Sequence, residues 1–160
     1  MTRSITINGA ALTAEQLSAL DRLEAETGDR WRDGAYWYDA RSGAVGEWGG
    51  PATGWLDAGL PIAGPMPAGC SGGGTGVFVN GRELHLVDVI VLEHLLGTLP
   101  PARYWCDAQR NAGFEDGPAI VNMDQLSRQR RAGAEGCARS GMHGHGGFMT
   151  FSARGPMRTT

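Results

Sequence analysis

Lysine is absent from this chain: all 14 basic residues are arginine, set against 17 acidic ones, for a formal net charge of −3. That balance argues against a nucleic-acid partner, which needs a basic face. Long apolar runs are missing as well. No stretch reaches the ~18 residues of a membrane-spanning helix, and the opening MTRSITINGAAL holds no apolar signal core, so no membrane association is expected. Cysteine is scarce. Cys70, Cys106 and Cys137 are odd in number and widely spaced, which is no disulfide framework, so a reducing, cytoplasmic setting is expected. Lysine's absence itself fits an Ala/Gly/Arg-rich composition and is given little functional weight.

What the chain has is length for a core and a repeat. A chain of 160 residues hides roughly 68–70% of its unfolded surface. The strongest local signal is VFVNGRELHLVDVIVLEHL at 77–95, and ITINGAALTAEQLSALDRL at 5–23 matches it. At an offset of 72, Asn8-Gly9 falls on Asn80-Gly81, Leu12 on Leu84, Leu20 on Leu92 and Leu23 on Leu95. A second match follows each copy: YWYDARSGAVGEWGGPA at 36–52 and YWCDAQRNAGFEDGPA at 104–119, at an offset of 68 that falls to 67 by Pro51/Pro118. The order is the same in both halves, so the chain reads as a tandem duplication.

Each unit has the same plan. Asn-Gly suits a tight turn with two left-handed residues. In the first copy Thr13 and Gln16 stand at capping-box spacing, and Leu17, Leu20 and Leu23 mark one helical face up to a stop at Gly28. An aromatic hairpin follows. The second copy's helix, 87–96, is apolar nearly all round and is therefore expected to be the more buried of the two. The predicted organisation is repeat unit one at 1–54, an irregular Gly/Pro-rich connector at 55–75 whose apolar residues pack, repeat unit two at 76–125, and a tail at 126–160 with a terminal strand near FMTFSAR. Within that tail 129–147 is expected to be disordered. The fold expected is α+β, two β-turn–helix–β-hairpin units with their helices on a shared, mainly antiparallel sheet.

The residues that could carry chemistry are few. SGGGTG at 71–76 resembles the GGGTG of the tubulin family, but a phosphate loop leads into a helix and this one runs into VFVNG. GCSGG at 69–73 resembles a fragment of papain-like proteases without the rest of that pattern. Cys70 with His85 or His94 could form a nucleophile and base, though nothing in the sequence joins them, and His85 stands where Thr13 caps the first helix. Asp39 and Asp107 hold matched places in YW-x-DA. They could be paired carboxylates of a small enzyme, or each could bond its own backbone two residues on in a hairpin turn. Cys137, His143 and His145, beside Met142 and with Cys106 as a fourth candidate, have the donor types for zinc or copper. No other cofactor is implied.

In the hairpin, Tyr36 and Tyr38 share one face and Trp37 takes the other, so one face is expected to cover the core and one to be open. Trp37, Tyr38, Trp48, Trp55 and Trp105, with Arg41, are therefore the candidate contact set. SGGGTGVFVNGRELH followed by RYWCDAQRNAGFEDGPA resembles bacterial proteins carrying the same two blocks, over 49–122, a group with no established activity that lends no catalytic residue. No nucleophile, base and orienting group stand at readable spacing. The expected function is thus a non-enzymatic binding or assembly protein with a protein partner or its own copies. A metal-binding protein and a small enzyme are the alternatives.

Overall fold

The computed structural model describes residues 3–138, with side-chain surroundings up to residue 133. In the first unit β1 (Ile5–Ile7) turns through Asn8-Gly9 into β2 (Ala10–Ala11). Asn8 and Gly9 sit at φ +56° and +80°, the double left-handed geometry of a type I′ turn. Thr13 caps α1 (Ala14–Thr27): its hydroxyl accepts the Gln16 N–H while the Gln16 side chain accepts the Thr13 N–H. Gly28 stops the helix in the left-handed conformation. Then come β3 (Gly34–Tyr38), β4 (Ala44–Glu47) and β5 (Ala52–Trp55). β3 lies parallel to β1, an arrangement that needs a crossover, and α1 supplies it.

The second unit repeats this element for element: β6 (Phe78–Val79), β7 (Arg82–Glu83), α2 (Leu86–Leu96), β8 (Arg103–Cys106), β9 (Asn111–Phe114) and β10 (Val121–Asn122). The sheet orders are β2-β1-β3-β4-β5 and, in the same sense, β7-β6-β8-β9-β10. The fold is α+β, a duplicated unit with two mainly antiparallel five-stranded sheets. A third helix, α3 (Met123–Ala138), follows β10.

The matched residues do the same work in both copies. The Asn8 side chain brackets Tyr38, donating to its carbonyl and accepting its N–H at 3.0 and 2.9 Å; Asn80 brackets Cys106 at 2.8 and 3.1 Å. Trp37 Nε1 donates to the Gly50 carbonyl and Trp105 Nε1 to that of Gly117. A Cβ at Gly46 would stand 2.4 Å from the Pro51 carbonyl oxygen, and one at Gly113 2.2 Å from that of Pro118. Asn-Gly, Tyr-Trp, the strand glycine and the proline recur because each copy closes its sheet with them.

Several expectations are corrected. The units do not share a sheet; each closes its own. A further strand, β5, takes residues 52–55 into the first sheet ahead of the connector, and β10 does the same after the second hairpin. From there Leu56, Leu60, Ile62 and Ala63 pack against the first core, with Ile5, Ile7, Leu20, Tyr36 and Tyr38. The 71–76 loop is held in place: the Gly74 and Gly76 amides donate to the Glu83 carboxylate. Residues 129–138 belong to α3, and the terminal strand near 148–154 lies outside the described residues. α2, apolar nearly all round, buries more residues than α1, whose only buried residue is Leu20, yet it leaves much of its apolar surface open. Only Val89 and Leu95 of it are buried, while Leu86, Val87, Ile90 and Val91 are exposed.

Candidate functional site

The hairpin aromatics do not form an outer contact surface. Trp37 and Tyr38 are 0% and 1% exposed, which removes both from the candidate set. Tyr38 faces the first core, and Trp37, on the other side of the sheet, packs with Ala44 and Cys70. Both faces of β3 are covered because Cys70 and Met66 of the connector and Arg82 of the second copy close over the one that α1 leaves open. The Arg82 guanidinium lies 3.9 Å from the centre of the Trp37 ring. It donates to Ser71 Oγ at 2.8 Å and to Asp88 Oδ2 at 3.2 Å, and Asp88 in turn accepts the Ala52 N–H.

Two more stacks join the copies. Arg110 covers the half-buried Trp55 at 3.6 Å and donates to the Ser42 carbonyl at 3.1 Å. Arg41, exposed, lies over the half-buried Trp105 at 5.3 Å. Asn80 Nδ2 donates to Asp39 Oδ2 at 2.7 Å. The seam is therefore built of arginine on tryptophan. A guanidinium stacks flat and still donates from its edge, which an ammonium cannot do. Of the predicted contact set, Trp48 alone is an open aromatic, at 43% exposure.

The candidate catalytic groups are engaged elsewhere. Asp39 accepts the Arg41 N–H and the Ser42 hydroxyl, and Asp107 accepts the N–H groups of Gln109 and Asn111, so the backbone-bonding reading of both holds. Burial pushes the Cys106 thiol up to about 11, and burial also raises Cys70, so neither is a ready thiolate. His85 Nδ1 accepts the Val87 N–H as the cap of α2. An open cleft of about 430 Å³ lies at the seam, lined by Tyr38, Asp39, Arg41, Met66, Asn80 and Tyr104, but its central polar pair, Asp39 and Asn80, bond one another. Among the described residues no group of three or more His, Cys, Asp and Glu side chains could hold a metal ion. The Cys137 side chain, His143 and His145 lie outside them.

Large apolar side chains are exposed at Phe114 and Ile120, and four more gather on α2. Leu86, Val87, Ile90 and Val91 are 59%, 47%, 48% and 37% exposed and recur at helical spacing on one face. The first copy is an internal control. At the offset of 72 their counterparts are Ala14, Glu15 and Ser18, all exposed, and Ala19, which packs against the first core. The same position in the same fold is thus watered by small and polar groups in one copy and by bare aliphatics in the other. The apolar composition of α2 predicts an interior helix, and the structure leaves these four side chains exposed. The fold needs no apolar group there, as the polar and small residues of the first copy show.

No family model matches the chain, and no solved structure matches it. Over 89 residues, 56% of this chain, it is 33% identical to a curated plant protein, extra-large guanine nucleotide-binding protein 1 of Arabidopsis thaliana. The chain spans about a tenth of the length of that relative, 10%.

Proposed function

We propose that the chain is a non-enzymatic binding module that presents the outer face of α2 to a protein. One observation carries this reading: four aliphatic side chains stand in solvent on α2 where the duplicate unit carries Ala14, Glu15 and Ser18. Contiguous exposed apolar surface marks interaction sites. The hairpin aromatics, expected to make the contact, instead hold the two units in one orientation and so give that face a rigid seat.

The plant relative is named for guanine nucleotide binding. That property is not carried to this chain, because its glycine loop runs into β6 and its amides are taken by Glu83. Unpaired Cys70 and Cys106 favour a reducing, cytoplasmic setting.

A photoreactive benzoyl-phenylalanine placed at Ile90, and separately at its duplicate position Ser18, tests the surface. Covalent protein adducts in cells are expected from position 90 and not from 18. No adduct from 90, or equal yields from both, would remove the α2 face from the function.

A further inference from the structure

We infer that His85 makes the start of α2, and through it the seam between the two units, sensitive to acid. Its imidazole caps that helix: Nδ1 accepts the Val87 N–H at 3.1 Å. A ring nitrogen accepts a hydrogen bond only while it carries no proton, so this cap exists with His85 neutral and its one ring proton on Nε2. A second proton removes the acceptor. It also sets a positive charge at the helix N-terminus, where the backbone dipole disfavours one. The cap is therefore present above the ordinary histidine range, near pH ~6.5, and is lost as the pH falls through it. The ring is half-buried, so protons reach it.

The first unit carries the same cap without the switch. At the offset of 72, Thr13 stands at the place of His85 and Gln16 at that of Asp88. The Thr13 hydroxyl does not titrate, and Gln16 returns a bond to the Thr13 N–H, which closes the capping box. In the second unit that reciprocal half is engaged elsewhere. Asp88 accepts the Ala52 N–H at 3.1 and 3.2 Å and the Arg82 guanidinium at 3.2 Å. Among the described residues His85 is thus the one side chain capping α2, and the residue three positions on is the link to the first unit. Loosening that first turn moves Asp88, and with it the anchor of Ala52 and Arg82.

The charges around the ring are of other kinds. Arg82 and Glu83 precede it and are held by Ser71 and Asp88 and by the glycine loop. The glycine loop and β5 carry no charge, and the charged groups of α3, which touches α2, are carboxylates and guanidiniums. Such groups ordinarily titrate outside the interval from about pH 7.5 to 5.5. No ion pair of the described residues includes the ring. The other histidine of α2, His94, lies in its last turn, where a positive charge is favourable, so its protonation acts in the opposite sense.

Nuclear magnetic resonance of the full chain, titrated from about pH 7.5 to 5.5 across the histidine range, is the test. At the upper end the His85 ring is expected in the Nε2–H form. The Val87 amide should move with the protonation of that ring, and the Ala52 amide, in the other unit, should move with the same midpoint. Thermal melts at the two ends should show the wild type losing about 3 °C more than His85→Thr, the cap that the first unit uses. Comparing the two proteins cancels His94 and every other titrating group. A Val87 amide that ignores the ring, or a His85→Thr variant that loses as much as the wild type, would overturn the inference. A response at Val87 without one at Ala52 would overturn its transmission to the seam.

Discussion

Asn8 shows how much one side chain can decide. It takes the left-handed conformation at φ +56°, starts the hairpin, and is buried while bonding both backbone groups of Tyr38 and the Gly64 carbonyl at 2.9 Å. Only asparagine offers a donor and an acceptor on a stem short enough for that turn. Asn8→Ala strands these groups at ~1–3 kcal/mol each and adds ~1–2 kcal/mol of left-handed backbone cost. Chemical denaturation should show a loss of about 4 kcal/mol or more. Asn8→Gly removes the backbone part, and its melt should recover about 1 kcal/mol or more of that loss. Equal losses for the two variants would mean that the turn is not strained.

Elements are joined by arginine. β7 supplies Arg82, whose guanidinium is stacked on Trp37 and tied to Ser71 and Asp88, with a side-chain relative exposure of 6%. Arg82→Lys keeps the charge but loses the flat stacking surface and part of the donor fork. We expect a loss of about 2 kcal/mol in denaturant melts, from the desolvated cation–π contact, together with a red-shifted Trp37 emission as water reaches the ring. An unchanged melt would show that charge alone holds the seam. Lysine's absence gave no hint of this in the sequence, because an arginine on a tryptophan is a meeting of residues some 45 positions apart. The two helices teach the complementary lesson. Apolar content told that α2 would form, but which side it buries was settled by where its sheet lies.

For the whole molecule, two units with separate sheets could be expected to melt separately. The seam argues otherwise. Trp37 and Ala52 of the first unit depend on Arg82 and Asp88 of the second, and Trp55 depends on Arg110. Differential scanning calorimetry of the full chain should show one cooperative transition, and a fragment of residues 1–75 should not fold. Two resolved transitions, or a folded fragment with a native hairpin spectrum, would mean that the seam is decoration.

The duplication, both Asn-Gly turns, the Thr13 and His85 caps and the Gly28 stop were legible in the sequence, because each rests on residues a few positions apart whose local geometry admits one solution. The turn roles of Asp39 and Asp107 were legible for the same reason. The separate sheets, the covering of Trp37, the capture of Glu83 by the glycine loop and the exposure of Leu86, Val87, Ile90 and Val91 were decided by tertiary structure alone. Each depends on which distant surface arrives to exclude water, and an apolar pattern records only that a side chain gains from burial. Which face is buried and which is left in solvent follows from how the two copies pack.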